Sequence, residues 1–524
     1  MAKFALPAAP VRPLSFSFDL ILVSALGGLQ TAGFVYTEAW WLQLLCVGLL
    51  AWRVSEVGPS RAAVLGWCFG TAWLAAGTWW LFISMHRYGG LPAWMAALAV
   101  LALAGVLSLY LAAACAAHAR WRWGRPLPDA LLFGAVWLLA ELARGVILSG
   151  FPWVAAAYAH VDGPLAGLAP WIGAYGIGFV AAVLSAAVAL SFMHGRYRAW
   201  TGVAAVAVLV LAANAETTFT RPTGTLSVTL LQGNIPQEEK FASEHQAAAL
   251  EWHVSRLLET KSDLVVAPET AVPFLPQQMP EGFWQSLRAR FAGGRTHALF
   301  GVPLGDEKAG YTNSAVGFAP GGGEYRYDKH HLVPFGEFIP PGFRWFTRMM
   351  NIPLGDFNRG ALNAPSFLVG PERVAPNICY EDLFGEELAA RFADPANAPT
   401  IFANLSNIGW FGDTVAVDQH LNISRMRSLE FERPMLRATN TGATVIVDHR
   451  GKVVQSLRPH TRGVLEGTVQ GRTGLTPFAA WASRYSLWPL ALLGALIVAA
   501  CVAAHAWRAR ARRRATRRDE AGAT

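Results

Sequence analysis

The chain opens with long apolar runs and closes with one more; between them the pattern shifts to short apolar stretches set off by turn residues. Length and hydropathy predict helices near residues 18–34, 39–52, 62–84, 92–117, 130–148, 166–193 and 199–214, with an eighth near 486–507. Most of these runs can cross a hydrocarbon core of ~30 Å, the second and seventh being short. Asp19 interrupts the first run near its start. That run, behind Lys3 and Arg12, resembles a cleaved leader superficially, but the runs that follow at once predict a retained anchor. Several connections are only a few residues long, so neighbouring helices are expected to pack as antiparallel pairs.

From about residue 220 the apolar runs shorten to strand length. Strands are predicted at 226–231, 263–267, 298–302, 314–318, 373–378, 401–404 and 444–448, with helical patterns such as 243–260 between several of them. Alternating strands and helices make this part α/β. The expected organisation is a helical membrane domain of seven spans over 1–214, an α/β domain over 215–485, a last membrane helix over 486–507 and a basic tail over 508–524.

Composition agrees with a membrane protein: 53% of the 524 residues are hydrophobic and only 15% are charged. The net charge of +8 does not point to nucleic acid, because the basic residues form no aromatic-interleaved stripe. They fall in connections instead. Arg53 and Arg61, then Arg120, Arg122 and Arg125, then Arg196 and Arg198 occupy the second, fourth and sixth connections, and Arg508, Arg510 and further arginines follow the last run. Arg87 is the exception. Basic connections stay cytoplasmic, which puts residues 215–485 on the opposite side. Within the spans, Glu141 and Arg144 lie three apart and are expected to pair, since an isolated charge in hydrocarbon is costly. Gly150-Phe151-Pro152-Trp153 begins a loop at the outer interface, either beside a lipid entrance or as an aromatic belt anchored by Trp153.

The polar region holds one cysteine, Cys379; Cys46, Cys68, Cys115 and Cys501 sit in apolar runs, so no disulfide forms within that region. Cys379 falls between a predicted strand and a helical pattern over 382–391 with Asp382 as a possible N-cap, a setting that would favour thiolate. Two more polar motifs stand where strands should end: Ala267-Pro268-Glu269-Thr270, and the run from Tyr327 through Lys329, His330 and His331 to Glu337. A carboxylate, an ammonium and a thiol are a base, a cation for a developing oxyanion and a nucleophile, the set that acyl transfer needs. Zinc-ligand spacings and a Gly-x-Ser-x-Gly elbow are both missing, so neither a metal site nor a serine hydrolase is expected.

Pro268-Glu269, Lys329 within Lys-His-His-Leu-Val-Pro-Phe-Gly-Glu, and Cys379-Tyr380-Glu381 together resemble the ordered Glu-Lys-Cys pattern of the nitrilase superfamily. With seven spans before and one after, essentially all of residues 1–510 resembles the apolipoprotein N-acyltransferases, its membrane-embedded branch. The segments 231–237 and 436–442 are similar to further stretches of that family, and Phe241 stands where some members have tryptophan. The resemblance implies an αββα sandwich in which Glu269 is general base, Lys329 stabilises the oxyanion and Cys379 is acylated. Glu337 would support them, Tyr380 and Glu381 would shape the site, and Phe241, Asn313, Arg437 and Trp153 are further candidates. It also implies a phospholipid acyl donor such as phosphatidylethanolamine, and as acceptor the α-amine of an S-diacylglyceryl cysteine on an apolipoprotein. The reaction would be ping-pong through a thioester, without a cofactor, at a bacterial inner membrane with the catalytic domain in the periplasm.

Two other readings stand beside this one. In a membrane-anchored amidase of nitrilase type, water resolves the thioester; in a transporter or scaffold no acyl intermediate forms, and polar pairs line a pore. Residues 332–357, rich in aromatics and broken by Pro and Gly, are expected to form a mobile lid dipping into lipid.

Overall fold

The computed structural model describes residues 15–193, 200–214, 217–240, 243–340, 342 and 356–522. Apolar helices run over Phe16–Leu29, Trp40–Glu56, Pro59–Gly77, Ala93–Leu107, Leu109–Trp121, Pro126–Val146, Ala169–Met193 and Trp200–Ala213, and Trp488–Gly522 closes the chain. Among the described residues, five helical stretches are long and apolar enough to cross a membrane, and a sixth if Pro59–Gly77 and Leu81–Tyr88 count as one bent span. Large side chains such as Leu98, Leu101, Val106 and Leu496 are exposed on these helices, as faces turned to lipid require.

The run expected as one helix over 62–84 breaks at Gly77, and the chain turns by 64°. Hydropathy does not register the break because the apolar run is continuous. What stabilises it is polar: Gly77 O accepts from Trp80 Nε1 at 3.1 Å and from Gln419 Nε2 at 3.0 Å. Arg53 also departs from expectation. It lies inside Trp40–Glu56 and forms a two-pronged pair with Asp19, at 2.8 and 3.0 Å, with both groups buried. Each charge therefore explains the other.

The rest is a two-sheet sandwich. In chain order the strands are β1 (Arg221–Gln232), β2 (Leu264–Val266), β3 (His297–Asp306), β4 (Gly310–Phe318), β5 (Glu324–Asp328), β6 (Phe367–Val369), β7 (Glu372–Ile378), β8 (Ile401–Ser406), β9 (Met435–Thr439), β10 (Val445–Val447), β11 (Val453–Ser456) and β12 (Gly463–Thr473). One sheet has the order β12-β1-β2-β3-β4-β5, the other β11-β10-β9-β8-β7-β6. Leu230, Val266, Leu299, Ile378, Ala403 and Leu436 share the core between them. Outside the first sheet lies a second core, where Leu257 of helix Ser243–Glu259 and Leu287 and Phe291 of helix Phe283–Ala292 cover Val265, Ala298 and Phe300.

Outside the second sheet, Phe392, Ile423, Met426, Phe431 and Phe478 join one continuous core with Val154, Tyr158 and Ile177 of the membrane part. The sandwich thus shares its second helical layer with the apolar bundle. At the bundle's other end Arg122 Nη1 donates to Val57 O at 3.0 Å, and the Arg508 guanidinium lies 4.2 Å from the Trp123 ring centroid. The second and fourth connections therefore gather with Arg508 at the end away from the sheets, while Arg196 and Arg198 of the sixth lie outside the described residues.

Asp19→Leu alone should cost about 3–5 kcal/mol by leaving Arg53 buried and unpaired, whereas the double change with Arg53→Leu should be nearly neutral. Melting of the detergent-solubilised variants measures both.

Candidate active site

The three motifs come from different strands and meet at one edge of the sandwich. Glu269 follows β2, Lys329 follows β5, and Cys379 follows β7. Parallel pairing of β7 with β8 sets Ile378 opposite Leu405, so the next residues along, Cys379 and Ser406, lie side by side. Asn407 then donates its backbone N–H to Glu269 Oε2 at 2.9 Å, which brings the carboxylate of one sheet to the thiol of the other.

Lys329 is 1% exposed, with Nζ 2.9 Å from Glu337 and 3.7 Å from Glu269 Oε1. Asn313 Nδ2 donates to both carboxylates, 2.7 Å from each, and Val333 N donates to Glu337 Oε2 at 2.8 Å. Burial works against the charge on Lys329, but Glu337 and then Glu269 outweigh it and hold the ammonium protonated far above the ordinary lysine range. Burial pushes the Cys379 thiol up to about 12; the Glu269 charge adds to that rise and Lys329 opposes it. The resting thiol is therefore protonated, contrary to the thiolate expected from a helix N-terminus. Its surroundings explain why. After Cys379 comes a 3₁₀ turn, Cys379–Leu383, followed only by the short helix Gly385–Ala389. Asp382 caps no long helix; its carboxylate is buried against His420, Ser424 and Arg437.

Cys379 itself has φ of 53°, a left-handed conformation that β-carbons disfavour. Glu381 braces the turn that contains it. This one carboxylate accepts from Ile378 N at 2.6 Å, His330 N at 2.7 Å, His331 N at 3.1 Å and Tyr327 OH at 2.8 Å. It ties the segment that carries Lys329 to the segment that carries the cysteine. Tyr380 points the other way, toward the bundle, where its OH donates to Gly150 O at 3.2 Å.

Comparison with known proteins places the chain in a family. The family model described as apolipoprotein N-acyltransferase N-terminal domain matches residues 26–187, and that described as carbon-nitrogen hydrolase matches 227–478. The apolipoprotein N-acyltransferase of Verminephrobacter eiseniae is 54% identical over 476 residues, covering 86% of this chain and 89% of its own. That of Ralstonia nicotianae is 47% identical over 498 residues, covering 93% and 95%. The chain belongs to the apolipoprotein N-acyltransferase family. Among solved structures, a CN-hydrolase superfamily protein from Xanthomonas campestris with an arsenic adduct in its active site aligns with 51% of this chain and 96% of its own, at 19% identity and a TM-score of 0.36.

In this N-acyltransferase, Glu269, Lys329, Glu337, Asn313, Cys379, Tyr380 and Glu381 sit together, and Asn313 is more central than its sequence context suggests. Arg437 lies behind the cysteine rather than in the pocket, fully buried, with Nη1 3.3 Å from Asp382 Oδ2 and from Asn404 Oδ1. Trp153 is no exposed belt residue. It is 3% exposed, its ring centroid lies 4.8 Å from that of Trp80, and Nε1 donates to Gln419 at 2.8 Å. The expected pair is present, with Arg144 Nη2 3.5 Å from Glu141, and Arg144 also donates to Phe151 O and Trp153 O at 2.7 and 2.8 Å. His330 and His331 diverge, one to Gly360 O and the other to Glu387. Phe241 and most of the expected lid, residues 341 and 343–355, lie outside the described residues. Asn404, Asn407 and His420 escape sequence reading because no motif surrounds them; only the strand register and the helix Ala416–Phe431 bring them to the cysteine.

Glu381→Gln swaps one acceptor oxygen for a donor facing N–H and O–H groups, so it should cost about 1–3 kcal/mol in melting. It should also slow label transfer from phospholipid, whereas Tyr327→Phe should cost only about 1 kcal/mol.

Proposed function

We propose that this chain moves a fatty acyl group from a phospholipid, phosphatidylethanolamine in particular, to the α-amine of the S-diacylglyceryl cysteine of an apolipoprotein. Glu269 takes the thiol proton as Cys379 Sγ bonds to the donor's ester carbonyl carbon. The ester C–O bond then breaks, and lysophospholipid leaves with the proton that Glu269 returns. In the second half the acceptor nitrogen bonds to the thioester carbonyl, the C–S bond breaks, and an amine proton passes through Glu269 back to sulfur. Lys329 stabilises the oxyanion of both tetrahedral intermediates, and Glu337 keeps that ammonium charged and in place.

One observation carries this reading: Tyr380, next to the thiol in sequence, lies in the core shared with the apolar helices and its OH is bonded to Gly150 O of the membrane part. A lipid ester can reach such a site without leaving the bilayer. The proposed topology has eight crossings, with residues 215–485 in the periplasm of a bacterial inner membrane and the basic tail in the cytoplasm. The gathering of Arg61, Arg122 and Arg508 at the far end of the bundle supports it.

With acyl-labelled phosphatidylethanolamine in mixed micelles, label should appear on Cys379, persist until a diacylglyceryl peptide is added, and then move to the peptide's amine. Release as free fatty acid without acceptor would make the chain a hydrolase, and Cys379→Ala should abolish labelling.

A second measurement addresses the base. Glu269→Gln should slow acylation about 10²–10⁴-fold. Losing that negative charge lowers the Cys379 thiol from about 12, yet leaves thiolate as the only reactive form. Its alkylation by iodoacetamide should then rise about tenfold per pH unit between about pH 7 and 9. The unmodified enzyme, with Glu269 to accept the proton, should show a nearly flat profile; equal slopes in both would remove Glu269 as base.

A further inference from the structure

The backbone at Cys379 is strained, and something must hold it. Its carbonyl oxygen accepts two side-chain donors, Asn404 Nδ2 at 3.2 Å and His420 Nε2 at 3.2 Å. His420 is 1% exposed, and its ring is tightly specified. Nδ1 lies 2.7 Å from Arg437 Nη2, and a guanidinium has no lone pair to offer, so Nδ1 must be the acceptor. The ring proton is therefore on Nε2, where it is shared between Cys379 O and Asp382 Oδ1, the latter at 2.9 Å. Burial, and then the Arg437 charge, hold this imidazole neutral. The neighbouring residue faces the membrane part. Gln419 Oε1 accepts from Trp80 Nε1 at 3.0 Å and Trp153 Nε1 at 2.8 Å, and Nε2 donates to Gly77 O at 3.0 Å. Both polar side-chain atoms of Gln419 are thus committed to the bundle, while His420 is committed to the backbone of Cys379.

The geometry points to His420 as a positioning residue for acyl transfer: its Nε2–H fixes the carbonyl of Cys379, and Gln419 sets its height by anchoring the start of helix Ala416–Phe431 on two membrane indoles. The inference rests on the reading of Cys379 as nucleophile. A carbonyl pinned from behind keeps the left-handed turn from relaxing, and relaxation would swing Sγ away from Glu269. The apolar helices then do more than deliver lipid, because they brace the cysteine through Gln419.

The full chain in mixed micelles tests this with two readouts, saturating acylation of Cys379 by labelled phospholipid and alkylation of Cys379 by iodoacetamide. His420→Phe keeps the ring's shape but removes the donor; it should slow both reactions about 10²-fold while the lipid KM stays within about twofold, as expected when only the attacking group is misplaced. His420→Gln restores a donor and should recover most of both rates. The inference is overturned if His420→Phe acylates within about threefold of the parent, if the Gln variant is as slow as the Phe variant, or if KM alone changes. Should His420→Phe fail to fold, Gln419→Leu decides: with His420 intact it should slow both reactions about tenfold, and an unchanged rate refutes the coupling. Cys379→Ala stands apart as a control, since persistent acylation there would overturn the nucleophile assignment itself.

Discussion

One buried ammonium shared by two carboxylates sets the demands on this fold. A lone carboxylate 2.9 Å away would neutralise Lys329; the second, at 3.7 Å, leaves the cluster with an excess negative charge inside protein. Burying such an excess is costly unless it is hydrogen-bonded. The structure spreads the charge over fixed dipoles, namely the Asn313 amide and the backbone N–H groups of Asn407 and Val333. Those donors come from β4, from the end of β8 and from the loop after β5. Removing β4, β5 or β8 would leave part of this charge without solvation, so both sheets are needed for the site.

The same economy governs the boundary with the membrane helices. A sandwich with water on both sides would need a polar outer face on each helical layer. Here helix Ala416–Phe431 is buried along most of its length, and its polar side chains are absorbed in pairs: Asn422 donates to Phe34 O at 3.1 Å, and Arg427 lies 3.0 Å from Glu430. Glu430 in turn accepts from Ala174 N at 2.7 Å, just beyond the kink at Gly173 in helix Ala169–Met193. Charge pairs at such a junction add little net stability but fix one register, because any other leaves a buried charge alone.

The chain's own pattern made much of this legible. Strand ends marked by Pro268-Glu269, by Asp328-Lys329 and by Ile378-Cys379 are visible because short β-rich runs stop abruptly at polar residues, and the structure ends strands within a few residues of each. The Glu141–Arg144 pairing followed from helical spacing alone. What escaped was anything decided by tertiary contact. The break at Gly77 lies inside an unbroken apolar run and exists because Gln419, far away in sequence, accepts and donates there. Trp153 reads as a belt residue until its Nε1 is seen to have a buried partner. Asp382 reads as a cap because local propensity favours one, yet the helix behind it is too short to need it, and Arg437 with His420 offer more.

That last misreading bears on how the cysteine can react at all. A helix N-terminus would have offered a standing thiolate, reactive toward any electrophile that entered. The observed surroundings do the reverse: burial and Glu269 keep the proton on sulfur until a carbonyl arrives. Ionisation is then part of the proposed attack rather than a property of the resting enzyme, and the developing charge moves from sulfur to the carbonyl oxygen beside Lys329. Such a site gains nothing from a more acidic thiol, since stabilising the thiolate before attack would deepen the ground state. In that proposal the rate depends instead on where sulfur is held, and a left-handed cysteine whose carbonyl is pinned by Asn404 and His420 meets that demand.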